Sequence, residues 1–161
     1  MRLQDKLLQL KKEKKAILAA NFYNFETLSG ILRAASGLKI PVILQLSESS
    51  IRYMGLDIAT ALAKSALSEY SVEGWLHLDH GGSIESVKAC LDAGSDPIMI
   101  EAIQNGICKL NLATETKNIF MRALQQSLKD NEEIDLRILF PEVIEAVKDL
   151  VRKKLTVINP V

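Results

Sequence analysis

The 161-residue chain lacks the features that mark several specialised classes of protein. Lysine plus arginine equals aspartate plus glutamate at 20 each, so no excess of charge would attract nucleic acid or an anionic membrane surface. No apolar run approaches the roughly 20 residues that span a bilayer, and the N-terminal segment does not have the pattern of a secretory signal. The sequence therefore predicts a cytoplasmic protein that has neither nucleic acid nor a membrane as its partner.

Cysteine and histidine are also scarce, with two of each. Cys90 and Cys108 lie in apolar segments and do not have the spacing of a metal clip or the density of a disulfide scaffold. We expect both to be reduced packing residues. Because 48% of the residues are hydrophobic, the chain can build one sizeable core, and we expect a single domain over residues 1–161.

Short apolar runs alternate with longer segments of helical period, which is typical of repeated βα units around a parallel sheet. The predicted strands are Ala16–Ala20, Pro41–Leu46, Gly74–Leu78, Pro97–Ile100 and Ile107–Leu110. The predicted helices are an amphipathic N-terminal segment, Phe25–Leu38, Leu56–Tyr70, Ser83–Ala93, Thr114–Leu128 and Pro141–Lys153, with a loop at Lys129–Asp135. The fold class is therefore α/β with about five parallel strands.

Both histidines lie at the end of the third predicted strand, in the run His77-Leu-Asp79-His80-Gly-Gly. Side chains alternate along a strand, so His77 and Asp79 share a face, whereas His80 begins the loop and can turn towards a pocket. Loops that follow parallel strands gather at one edge of the sheet. The run supports a metal-bound imidazole beside a carboxylate that moves a proton, but a polar strand end with its turn explains it equally well.

Other strand ends add neutral polar side chains to the same edge. Asn21 follows the first predicted strand, Ser47 the second, and Asn111 and Thr114 the last. Together with the start of the helix near Thr114 they suit a phosphate, because backbone N–H groups and the helix dipole favour an anion there. Each of them alone is more often a cap or turn residue.

Taken in order, these segments resemble the class II, zinc-dependent fructose-bisphosphate and tagatose-bisphosphate aldolases. The resemblance rests on Ala20-Asn21-Phe22, on residues 41–47, on His77-Leu-Asp-His-Gly81 and on residues 106–115, and it covers almost the whole chain. It implies a TIM barrel in which zinc polarises the ketose carbonyl and no Schiff-base lysine is used. By this resemblance His80 is a zinc ligand, Asp79 exchanges a proton with the substrate hydroxyl, and the residues around the substrate and its phosphate are Asn21, Ser47, Asn111 and Thr114.

The chain departs from this family between Glu101 and Gln104. There the family has further βα units with two more zinc-binding histidines, a glycine-rich phosphate loop and a catalytic glutamate. A TIM barrel typically takes about 250 residues, so we expect an incomplete barrel, with four βα units in residues 1–101 and a last unit with the C-terminal helix in residues 102–161. Catalytic zinc sites use three protein ligands, whereas only His80 matches the family set and His77 is expected to face elsewhere. We therefore do not expect tight zinc binding.

Three functions remain open on the sequence alone. The sequence also leaves open whether the chain is an enzyme. The first is an impaired aldolase that would cleave fructose or tagatose bisphosphate to dihydroxyacetone phosphate and an aldehyde if the absent part were supplied. The second is a non-catalytic remnant that binds such a sugar phosphate or is an accessory partner of a full-length aldolase. In the third, the sequence is an incomplete version of an active aldolase. Uncovered sheet edges predict association, with a second copy or with a full-length aldolase.

Overall fold

The computed structural model describes residues 1–13, 15–79, 89–90, 92–93, 109–130 and 133–159. Within these ranges the strands are β1 (Ile17–Asn21), β2 (Val42–Ser47), β3 (Gly74–Asp79) and β4 (Lys109–Leu112). The helices are α1 (Leu3–Lys12), α2 (Phe25–Leu38), α3 (Glu48–Met54), α4 (Leu56–Glu69), α5 (Thr114–Asp130) and α6 (Leu136–Ile158). The α/β class predicted from the sequence is confirmed.

The described strands pair in parallel in one sheet with the order β3-β2-β1-β4. The first and the last of them are neighbours, with Ala19 of β1 opposite Asn111 of β4. On the other side of β1, Ala19 is opposite Ile43 of β2, which in turn is opposite Trp75 of β3. Because all four strands run in the same direction, their carboxyl ends lie at one edge of the sheet.

The two faces of the sheet are covered differently. One face packs against α2, α4 and α6 through apolar side chains such as Leu18, Leu44 and Leu76. The opposite face, which we call the inner face, is apolar near its amino end, where Ile43 and Trp75 pack with the buried face of α1, formed by Leu3, Leu7 and Leu10. The carboxyl half of the inner face is left to polar side chains.

Helix α2 begins and ends at the residues that the sequence predicted. Its first turn has a reciprocal cap: Asn24 Oδ1 accepts from the Thr27 backbone N–H at 2.9 Å, and Thr27 Oγ1 accepts from the Asn24 backbone N–H at 3.2 Å. The cap satisfies N–H groups that have no partner within the helix. Since α2 starts soon after β1, it also fixes the direction in which the chain leaves the carboxyl edge of the sheet.

Several predicted boundaries are wrong by one or more residues, and those of α6 and β4 matter most here. Helix α6 begins at Leu136, well before Pro141, because Asp135 caps it: Asp135 Oδ1 accepts from the Arg137 backbone N–H at 2.9 Å. Pro141 therefore lies inside the helix, where it cannot supply the usual backbone hydrogen bond. Strand β4 extends past its predicted end to Leu112, so Asn111 lies within the strand and not after it.

Several predictions fall partly or wholly outside the described residues, namely strand Pro97–Ile100, most of helix Ser83–Ala93, His80 and Cys108. Among the described residues Cys90 is a buried free cysteine, and burial raises the pKa of its thiol. Of the predicted loop, Lys129 and Asp130 belong instead to α5, and residues 133–135 have no regular secondary structure. In the described part of the chain, no helix is both long enough and apolar enough to cross a membrane.

Gly30 and Gly37 of α2 offer a matched test of how closely α2 approaches α6. A Cβ atom at Gly30 would lie 2.7 Å from Val147 Cβ and 3.0 Å from the Ile144 carbonyl oxygen, whereas one at Gly37 would meet no atom within 4 Å. We expect Gly30→Ala to lower the free energy of unfolding by about 1–3 kcal/mol through overpacking. Gly37→Ala should raise it by about 0.5–1 kcal/mol through helix propensity. Urea unfolding measures both, and equal stabilities would contradict the close approach.

Candidate functional site

Polar side chains from each described strand lie on the inner face towards its carboxyl end. We call this set the polar edge, and its members are Asn21, Gln45, Ser47, His77, Asp79 and Asn111. They alternate with apolar residues that face the helices; Leu44 and Leu46, for example, flank Gln45. The strand register aligns Asn21 with Gln45, Gln45 with His77, and Ser47 with Asp79. Rows of polar groups therefore cross the sheet from strand to strand.

Side-chain amides hold both carboxylate oxygens of Asp79. Asn21 Nδ2 donates to Oδ2 at 2.9 Å, and Gln45 Nε2 donates to Oδ1 at 3.2 Å. Asn21 and Gln45 are buried in β1 and β2, whereas Asp79 is partly exposed at the end of β3. Hydrogen bonds to an ionised acceptor are stronger than bonds between neutral groups. Two strands of the sheet therefore orient this carboxylate through their side-chain amides.

His77 belongs to the same cluster. It is almost fully buried, and its Nδ1 lies 3.4 Å from Gln45 Nε2. The prediction that His77 and Asp79 share a face of β3 is confirmed, because Gln45 contacts both side chains. Whether His77 faces away from His80 stays a prediction, since His80 lies outside the described residues.

Asn21 and Asp79 are the predicted site residues that the structure brings into direct contact. Ser47 is opposite Asp79 in the sheet, but its Oγ accepts from the Ser50 backbone N–H at 3.3 Å and caps α3. Asn111 lies in β4 and Thr114 is the first residue of α5; both are exposed, and among the described residues neither is hydrogen-bonded to Asp79. The roles predicted for Ser47, Asn111 and Thr114 around a substrate and its phosphate stay predictions.

The sequence analysis missed two residues of this face, Gln45 and Lys109. Gln45 interrupts the apolar run of β2 and is fully buried, and a buried polar side chain implies a partner. Lys109 shares a face with Asn111; burial lowers the pKa of its ammonium group, and the negative charge of Asp79 partly offsets that effect. A charged residue within an otherwise apolar strand was the available signal. Lys109 places a cation on the face that carries Asp79.

Tyr23 links the carboxyl end of β1 to α5. Its hydroxyl donates to the Ala113 carbonyl oxygen at 3.3 Å, and Lys117 Nζ lies 4.6 Å from the centre of its ring. Burial raises the pKa of Tyr23 to about 12, and the negative charge of Asp79 contributes to the rise. The phenol is therefore protonated at neutral pH and remains a hydrogen-bond donor to α5.

A cavity of 390 Å³ lies beside the polar edge, among the β1–α2 loop, α3 and α5. Its lining is mainly apolar and aromatic and includes Tyr23, Tyr53, Phe120 and Met121, with Lys117 as a cation. None of the members of the polar edge lines it. We assign the candidate site to the polar edge because the groups that can exchange protons or bind a sugar converge there and not in the cavity.

A parallel sheet with helices packed on one face and polar groups at the carboxyl ends of its strands defines the class of barrel-type α/β proteins. The chain superposes on the YdjI aldolase of Escherichia coli K12 with a TM-score of 0.76 and 18% identity, over 99% of this chain and 98% of that chain. It also superposes on the fructose-bisphosphate aldolase of Campylobacter jejuni with a TM-score of 0.74 and 13% identity, over 98% of this chain and 94% of that chain. The fold is thus an incomplete TIM-type barrel.

The family model described as fructose-bisphosphate aldolase class-II matches residues 1–102 and 100–160. The chain is 39% identical over 97 residues to the fructose-bisphosphate aldolase of Helicobacter pylori, which covers 60% of this chain and 32% of that protein. It is 39% identical over 115 residues to the probable fructose-bisphosphate aldolase of Bacillus subtilis. This match covers 69% of this chain and 40% of that protein. The chain belongs to the class II fructose-bisphosphate aldolase family, and its matches span 32–40% of the length of these two relatives.

Class II aldolases generally depend on zinc and act on phosphorylated sugars. Within the described ranges, no three His, Cys, Asp or Glu side chains are grouped so that they could hold a metal ion. Asp79 accepts amide hydrogens at both oxygens, and His77 Nδ1 faces an amide nitrogen. The described residues by themselves therefore do not fit a catalytic zinc site with three protein ligands.

The titration of Tyr23 tests its position beside Asp79. Because its pKa is raised from 10.0 to about 12 in the folded chain, the stability linked to this phenol is fully present below pH 10.0 and is lost as the pH rises through about 12. We expect Asp79→Asn to lower the pKa of Tyr23 but to leave it above 10.0, since burial is the larger cause. Tyrosinate absorbance measures the pKa, with Tyr23→Phe to assign the signal. A pKa unchanged by Asp79→Asn would contradict the electrostatic contact.

Proposed function

We propose that the polar edge binds a phosphorylated ketose of the dihydroxyacetone phosphate type, and that the chain by itself does not cleave ketose bisphosphates. One observation carries the first part: a carboxylate at the carboxyl end of a barrel strand has both oxygens fixed by buried amides from two other strands. Barrel enzymes place their reactive groups at this end. Family resemblance gives Asp79 the role of exchanging a proton with the substrate hydroxyl.

Asp79 binds a sugar hydroxyl in this proposal. A carboxylate has about four acceptor positions, and the amides of Asn21 and Gln45 occupy two of them. In the proposal, a sugar hydroxyl donates to one of these two carboxylate oxygens. Because the carboxylate is already oriented, little rotamer freedom is lost when the ligand binds. Ser47, opposite Asp79 in the sheet, is the neighbouring polar group in the same proposal.

The phosphate of the ligand is assigned to the carboxyl end of β4. Asn111 and Thr114 are exposed there, and Thr114 opens the 17-residue helix α5, whose first N–H groups and dipole favour an anion. Lys109 adds a cation to the same face. Glu115, the acidic residue of this first turn, forms an ion pair with Lys154 at 2.6 Å, which reduces its repulsion of a phosphate.

The family resemblance implies that His80 is a zinc ligand, and the proposal keeps that role. A catalytic zinc ion needs three protein ligands, and we propose that the isolated chain does not hold one for turnover. The two family-model matches, over residues 1–102 and 100–160, support a division into a first group of βα units and a last unit. In the family, the units that carry the other ligands lie between these two parts.

Aldol cleavage of fructose or tagatose bisphosphate is the second candidate function, and family membership favours it. It requires that another chain supply the absent ligands. Exposed apolar side chains around the end of α5 and the start of α6 support an association: Leu128 is 55% exposed, Ile134 91%, Leu136 56% and Ile138 58%. We assign the partner to a second copy or to a full-length aldolase in the cytoplasm.

Calorimetry with dihydroxyacetone phosphate tests the binding proposal. We expect saturable binding that Lys109→Met weakens by about tenfold or more, because a hydrogen bond to a charged group contributes about 1.5–3 kcal/mol. Asn111→Ala should weaken it by roughly two- to tenfold, as for a hydrogen bond of about 0.5–1.5 kcal/mol. Asn118→Ala, exposed on α5, is the matched control and should bind as the unaltered chain does. Flat calorimetry would remove the proposal.

An aldolase assay with added zinc tests the second part. We expect no zinc-dependent cleavage of fructose or tagatose bisphosphate by the chain alone. Turnover that His80→Ala abolishes would establish the second candidate function instead. Sedimentation of the same preparations, with and without a full-length aldolase, shows whether either result belongs to a single chain or to an assembly.

A further inference from the structure

Gln45 lies between Asp79 and His77 and contacts both through the same nitrogen atom. Its Nε2 is 3.2 Å from Asp79 Oδ1 and 3.4 Å from His77 Nδ1. The residue is fully buried, and the register places it beside Asn21 on one side and His77 on the other. An amide nitrogen carries two hydrogens, so it can serve both acceptors at once.

The carboxylate decides which way the amide of Gln45 faces. Ionised Asp79 only accepts hydrogen bonds, so the amide nitrogen, and not its oxygen, must face it. The same nitrogen presents its second hydrogen to His77 Nδ1, which can accept it only when unprotonated. A neutral imidazole has one proton, and that proton is then on Nε2.

We infer that Gln45 is a positioning residue that couples the orientation of the Asp79 carboxylate to the tautomer of His77. It holds one oxygen of Asp79 and fixes His77 in the form with the proton on Nε2. The role of Gln45 in presenting Asp79 to a substrate hydroxyl rests on the proposed function. The assignment of the His77 tautomer does not rest on the proposed function, because it follows from contacts within the sheet.

The same geometry argues against His77 as a reserve metal ligand. A histidine that binds a metal through one ring nitrogen normally donates the hydrogen of the other to an acceptor. For a metal on Nε2, Nδ1 would have to carry a hydrogen, yet it faces an amide nitrogen that offers only hydrogens. Turning the amide over would place its oxygen against the Asp79 carboxylate. His77 is therefore a hydrogen-bonding residue of the polar edge.

Nitrogen NMR of the histidine rings in metal-free, isotope-labelled protein at neutral pH tests the tautomer. The chain has two histidines, so His80→Asn leaves a single ring and assigns its signals to His77. We expect the chemical shift of an unprotonated nitrogen at Nδ1 and that of a protonated nitrogen at Nε2. A proton on Nδ1, alone or in a charged ring, would overturn the inference.

Substitutions at Gln45 test its control over that tautomer. Gln45→Glu removes the amide hydrogen that faces His77 Nδ1. The new carboxyl shares a proton with Asp79, and its oxygen can accept from His77, so the His77 proton should move to Nδ1. Gln45→Met keeps a similar volume without hydrogen bonds and should raise the fraction with Nδ1 protonated, which provides a second variant if the first does not fold. Gln125→Glu, the same change at an exposed position of α5, should leave the signals unaltered. His77 signals unchanged in every folded Gln45 variant would refute the coupling.

Zinc chloride added to the unaltered chain completes the test. We expect His77 Nε2 to keep its proton, and its replacement by zinc would overturn the case against His77 as a ligand. Neither readout uses a sugar phosphate. A chain that does not bind dihydroxyacetone phosphate therefore leaves this inference standing, and a wrong tautomer leaves the binding proposal standing.

Discussion

The polar edge depends on the Asp79 carboxylate held between the amides of Asn21 and Gln45. Burying an amide costs free energy unless its N–H groups find acceptors, and Asp79 provides one acceptor oxygen for each of the two buried amides. The amides in turn fix the carboxylate and, through Gln45, the imidazole of His77. One ion thus accepts a hydrogen bond from each of the two buried amides. Groups fixed before a ligand arrives are what catalysis and recognition require.

The same strands build the core and the candidate site because side chains alternate between the two faces of the sheet. The outer face is buried by α2, α4 and α6, and the amino end of the inner face by α1. The carboxyl half of the inner face is the part that these helices leave open to function. Membership of the class II aldolase family is the reason why we propose this part of the sheet as the ligand site.

Local patterns predicted the α/β class, the bounds of α2 and the shared face of His77 and Asp79, because each depends on period or on neighbouring residues. Gln45 was missed because nothing in an apolar run shows that its partners lie on the next strand. The predicted start of α6 was wrong. Proline is generally favoured in the first turn of a helix, but the cap at Asp135 decided the boundary. The predicted roles of the site residues depend on a ligand and stay predictions, namely those of Asn21, Ser47, Asp79, His80, Asn111 and Thr114.

A double-mutant cycle on the free energy of unfolding tests the central bond most directly, with Asn21→Ala, Asp79→Ala and the two together. If the amide of Asn21 and the carboxylate of Asp79 stabilise one another, the effects of the single substitutions do not add, and the coupling energy is about 1–3 kcal/mol. Additivity within about 0.5 kcal/mol, as for independent sites, would contradict the bond on which the polar edge depends.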